Sequence, residues 1–86
     1  MPEISRFYGI IIKMFYRDHN PPHFHAEYGN DEALIDIHTL ELIKGALPKR
    51  ARNLVNEWAL EHRDELLKNW EKARKPEDVQ PIEPLS

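Results

Sequence analysis

Between Phe7 and Tyr16 the chain is dominated by aromatic and β-branched side chains: Phe7, Tyr8, Ile10, Ile11, Ile12, Phe15 and Tyr16. Such a composition predicts a strand, and the three consecutive isoleucines make it apolar on both faces. Asp18-His19-Asn20-Pro21-Pro22 should end it, because two prolines lack amide donors and Asp and Asn favour turns. From His23 the pattern alternates through Tyr28, with Phe24, Ala26 and Tyr28 on one side and His23, His25 and Glu27 on the other. Gly29-Asn30-Asp31 suits a hairpin connection. A third strand, Ala33 to His38, sets Ala33, Ile35 and Ile37 against Leu34, Asp36 and His38. Leu40 to Ile43 reads as a short fourth strand or the end of the third, and Gly45 closes it.

Beyond Pro48, which a first helical turn tolerates, the period changes to that of a helix running to about Arg74. Ala51, Leu54, Val55, Trp58, His62, Leu66, Trp70 and Ala73 form one stripe at about 100° per residue. Lys75-Pro76 ends this helix. The predicted fold is therefore α+β: an antiparallel sheet of three to four strands with one long C-terminal helix packed on one face. The covered face should carry Phe24, Ala26, Tyr28, Ile35 and Ile37, leaving His23, His25, Glu27 and Asp36 together on the other. Residues 1–75 are expected to form a single domain. Residues 76–86 form a Pro-rich acidic tail too poor in apolar residues to make an element, with Ile82 and Leu85 as candidates to dock.

Composition narrows this picture in two ways. Eighty-six residues without cysteine make a small core with neither disulfide staples nor a thiolate zinc site, and no stretch is apolar enough to span a membrane, so a cytoplasmic location is expected. The net charge of -3 is unevenly spread: residues 1–47 carry 4 basic and 7 acidic side chains, 48–75 carry 8 and 5, and 76–86 carry 0 and 3. A basic segment between acidic ends can bind an anionic partner, or its own tail.

Three of the five histidines fall between Asp18 and Glu27. His23 and His25, two apart on a strand, project to one side at a separation that can chelate one metal ion. Glu27 continues the row, and His19 or Asp36 are further candidates for the same ion. Two histidines and a carboxylate with open positions would suit divalent Zn, Mn or Fe; without metal, His23 and His25 could act as an acid–base pair. The competing reading is structural, the rings serving the Pro-Pro turn. His62, inside the apolar stripe, reads as a core histidine with one hydrogen bond. Lys49, Arg50 and Arg52 place positive charge against the macrodipole at the helix start, which a phosphate or other anion, including nucleic acid, would relieve. Solvation, or pairing with Glu77, Asp78 and Glu83, would relieve it equally. No aromatic residue is interleaved there to stack on bases. Leu60 and Leu67, seven apart on the opposite helix side, could meet a second copy in a homo-oligomer.

Ile4-Ser5-Arg6-Phe7-Tyr8-Gly9-Ile10, His19-Asn20-Pro21-Pro22-His23-Phe24-His25-Ala26-Glu27-Tyr28, Gly45-Ala46-Leu47-Pro48 and the helix pattern around Trp58, His62, Leu66, Asn69 and Trp70 resemble the short bacterial proteins called domain of unknown function 4160. The resemblance covers nearly the whole chain, and its Pro-His-Phe-His-Ala core is quite specific. It carries no established activity. It implies a place in small operons beside another short protein, in a toxin-antitoxin-like role, and hence a small protein partner and contact with nucleic acid. Two functions are thus expected. One is a binding or regulatory module using Lys49, Arg50 and Arg52; the other is a metal-dependent or histidine-based hydrolase or nuclease using the His23/His25 face.

Overall fold

The computed structural model describes residues 3–75 and 77–86; the expected helix stop and tail boundary at Pro76 lie partly outside the described residues. Five strands form one antiparallel meander, β1 (Glu3–Phe7), β2 (Ile10–Lys13), β3 (His23–Tyr28), β4 (Asp31–Asp36) and β5 (Leu42–Gly45), in the order β1-β2-β3-β4-β5. Two helices follow, α1 (Lys49–Glu61) and α2 (Arg63–Arg74). The α+β class and antiparallel sheet agree with the sequence pattern, whereas the three to four strands and the single helix do not.

The additional strand comes from a hairpin inside the segment expected to be one strand. Tyr8 and Gly9 both adopt left-handed backbone, φ 49° and 79°, the conformation of a two-residue turn whose twist matches its flanking strands. Phe7 then pairs with Ile10 and Arg6 with Ile11. An irregularity between Glu3 and Ser5 lets the adjacent Ile4 and Ser5 both be buried, as a bulge does. At the far edge, Gly45 is required: a Cβ there would lie 2.1 Å from the Glu32 carbonyl oxygen, and its φ is +81°.

Pairing of Phe24 with Ile35, Ala26 with Ala33 and Ile12 with Ala26 places these residues on one face, together with Ile10, and all are buried. The helices cover that face. Ala51, Val55, Trp58, Leu66, Trp70 and Ala73 are buried as the stripe requires, while Leu54 and His62 are only partly so. Trp58 packs its ring 5.4 Å from Phe7 and 5.9 Å from Phe24.

The helix breaks at His62, φ -120° and ψ 20°. Asp64 and Glu65 occupy the first turn of α2, where negative charge is favourable, so the local sequence restarts a helix. The His62 ring packs at a tilt against Trp58, centroids 5.6 Å apart, and its Nδ1 donates to Glu65 Oε1 at 2.6 Å.

The tail docks without regular structure. Asn69 brackets Gln80, its Nδ2 donating to the Gln80 carbonyl and its Oδ1 accepting from the Gln80 amide, both at 2.9 Å. Ile82, itself buried, donates its amide to the Ile4 carbonyl at 2.7 Å, and Trp58 Nε1 donates to the Glu83 carbonyl at 2.8 Å. Among the described residues, no helix is long and apolar enough to cross a membrane.

Candidate functional site

By the register His23, His25 and Glu27 lie on the sheet face opposite Phe24 and Ala26. The β2–β3 connection then folds back over the start of β3, helped by Arg17, whose amide donates to the Ala73 carbonyl of α2 at 3.1 Å. This return brings Asp18 over both histidines: His23 Nε2 is 2.9 Å and His25 Nε2 3.2 Å from the same atom, Asp18 Oδ2. One ligand atom from each of Asp18, His23 and His25 lies within 4.8 Å of the others.

The environment of each ring constrains its chemistry. His23 Nδ1 is 2.7 Å from the Pro21 carbonyl oxygen, an acceptor only, so Nδ1 carries a proton and Nε2 is the atom turned to Asp18. His25 Nδ1 is buried without a hydrogen-bond partner, its nearest charged group being Glu32 Oε2 at 3.4 Å. Phe15 meets the His25 ring edge-on at 4.3 Å, and Trp70 lies 5.2 Å from the His23 ring. Partial burial pushes the Asp18 carboxyl up, but the His19 amide and the His25 and His23 imidazoles outweigh it and hold the group below its ordinary value. An anionic oxygen is therefore fixed between two imidazole nitrogens.

The histidine row, although on the face left uncovered by the helical stripe, is itself largely covered. The side chains of His23 and His25 are only 6% and 12% exposed, against 25% for Asp18, because Phe15, Trp70 and the loop close over the rings; solvent reaches the group mainly at Asp18. Glu27 stands outside it, paired with Lys13 Nζ at 3.0 Å. Asp36 is engaged in a turn, accepting the amides of His38 and Thr39 at 2.7 and 3.0 Å, and His19 is exposed. His62 lies apart on the helical side, bound to Glu65. Asp18 itself reads locally as a turn former; its only signal is a carboxylate placed five residues before the first histidine of the pair.

Lys49, Arg50 and Arg52 stand together in the first turn of α1, which contains no acidic residue. Among the described residues, no ion pair joins them to Glu77, Asp78 or Glu83.

A family described as Domain of unknown function (DUF4160) matches residues 9–71, a span that includes Asp18, His23 and His25. No curated protein and no solved structure matches the chain.

Proposed function

The chain belongs to the DUF4160 family of unknown function, and we propose that Asp18, His23 and His25 form a divalent-metal centre with open positions that serve hydrolytic chemistry. Of the two functions expected from the sequence, this site geometry favours the metal-dependent one, with Asp18 in the place first given to Glu27. The observation that carries it is the His23 ring, whose Nδ1–H is held by the Pro21 carbonyl while Nε2 faces Asp18 Oδ2. A metal-binding histidine characteristically donates its other ring N–H to a backbone carbonyl or carboxylate. With Nδ1–H engaged by the Pro21 carbonyl, Nε2 meets Asp18 Oδ2 either through a second ring proton or through a cation in that proton's place, and metal binding is the exchange of one for the other.

Spacing supports the same reading. Ligand atoms about 2.0–2.2 Å from an ion stand about 3.0–3.5 Å from one another; the two imidazole nitrogens lie 2.9 and 3.2 Å from Oδ2, lengths that hydrogen bonds share, and all three ligand atoms fall within 4.8 Å of one another. Two imidazoles and one carboxylate suit Zn, Mn or Fe and leave further positions unfilled by protein. Such an ion supplies a bound water of lowered pKa and polarises a carbonyl or phosphoryl oxygen. The residues' own contribution is to hold that position beneath Phe15 and Trp70 with one approach, on the Asp18 side.

Calorimetric titration of tag-free, chelator-stripped protein with Zn²⁺ and Mn²⁺ tests this. One equivalent should bind to the wild type, Asp18→Asn and His25→Ala should lose it, and hydrolysis of an activated phosphodiester should follow occupancy. A folded wild type that binds neither ion would make the trio a hydrogen-bonded brace for the β2–β3 connection.

A further inference from the structure

Two hollows adjoin at the start of α1, on the helix-covered side of the sheet, away from Asp18 and the histidines. The inner one, about 290 Å³, lies between Tyr8 and Tyr28 on one side and Pro48, Arg50 and Leu54 on the other. The outer one, about 510 Å³, continues past Arg50 and Leu54 to Lys49, Asn53 and Glu57. The fold brings to the basic cluster the aromatic residues missing from its own sequence: Tyr8 from the β1–β2 turn and Tyr28 from the end of β3. Both rings are accessible, 57% and 39% exposed, although large aromatic side chains usually bury most of their surface. The Tyr28 ring lies against Gly9, where a Cβ would meet Cε1 at 3.4 Å, an ordinary contact distance.

We propose that these adjoining hollows bind single-stranded nucleic acid, one base entering the inner hollow against Tyr8 and Tyr28 and the backbone phosphates lying along Arg50 and Lys49. Exposed aromatic faces beside a positively charged groove are the two parts such sites combine: the rings stack bases without sequence preference and the cations track the backbone. Arg50 lines both hollows, as a group placed between a base and its phosphate must. Glu57 borders only the outer hollow, which directs phosphates to the Lys49 and Arg50 end. The second hollow gives room beyond one nucleotide, and this favours a strand over a free nucleotide.

Anisotropy of a fluorescein-labelled thymidine octanucleotide, measured with chelator present so that the metal proposal is not involved, tests the assignment. The wild type should bind with a salt-dependent Kd. Tyr8→Ala should raise that Kd about tenfold, within the range expected for loss of one stacked base, while Tyr8→Phe should retain binding. Arg50→Gln should weaken binding and reduce the slope of log Kd against log salt by about 0.7, as expected for one phosphate contact on a single strand. Lys68→Gln, on α2, should change neither. Thermal midpoints establish that each variant is folded, and Tyr28→Ala, which should weaken binding in the same way, carries the stacking test if Tyr8→Ala does not fold. No binding by the folded wild type, an equal loss in Lys68→Gln, unchanged binding in Tyr8→Ala, or thymidine monophosphate binding as tightly as the octanucleotide would each overturn the proposal.

Discussion

His23 is fixed at both ring nitrogens, by the Pro21 carbonyl at one and Asp18 at the other, so its removal leaves the Pro21 carbonyl without this donor and Asp18 Oδ2 with His25 alone. His23→Ala is accordingly expected to destabilise the metal-free protein by about 1–3 kcal/mol, read as a urea midpoint. Strand alternation alone makes His25 an exposed, dispensable side chain; covered by Phe15 and bonded to Asp18, it should cost more than about 1 kcal/mol on truncation. Asp18 sets the acid limit of this group. Because its carboxyl is held below the ordinary value, it contributes stability that is fully present above the unfolded value near 3.9 and is lost as pH falls through the lower folded value. The stability difference between metal-free wild type and Asp18→Asn should therefore shrink below about pH 4 in urea titrations. The pairing of His23 with His25 was legible from a two-residue spacing, while Asp18 was not, since only the return of the loop carries it to the rings.

At the scale of elements, what could be read from sequence was what depends on local period. β3 and the face it presents follow from Phe24, Ala26 and Tyr28, and the helical stripe from Ala51 to Ala73 follows from its spacing. The β1–β2 turn escaped because Tyr8, a bulky residue, adopts φ 49°, a conformation its chemistry disfavours. The helix break escaped because an apolar stripe continues through His62 although Asp64 and Glu65 begin a new first turn. Trp58 joins the helices, the sheet and the tail through Phe7, Phe24 and the Glu83 carbonyl. Trp58→Ala should cost about 3–5 kcal/mol, and a near-wild-type thermal midpoint would contradict that core. Asn69→Ala removes both bonds to Gln80; amide exchange at Gln80 and Ile82 should then accelerate while protection within the β-sheet is retained.

Across the whole molecule the sheet separates two chemistries. One face packs the helices and carries, at its margin, the two tyrosines and the cations of α1. The other carries the Asp18, His23 and His25 group beneath the β2–β3 connection, with Trp70 of α2 reaching its edge at His23. Composition and period indicated His23, His25, Lys49 and Arg50, but not Asp18, which a returning loop brings to the rings, nor Tyr8 and Tyr28, which the β1–β2 turn and the end of β3 bring to the cations. The central proposal concerns the second face, where a divalent ion would replace the protons between two imidazoles and one carboxylate. The most direct measurement is X-ray absorption at the zinc edge of protein loaded with one equivalent. The account predicts a first shell of nitrogen and oxygen at about 2.0–2.1 Å with outer-shell scattering from two imidazoles, lost in His25→Ala, which should not hold the ion. A wild-type spectrum without imidazole scattering, or one unchanged by His25→Ala, would contradict it.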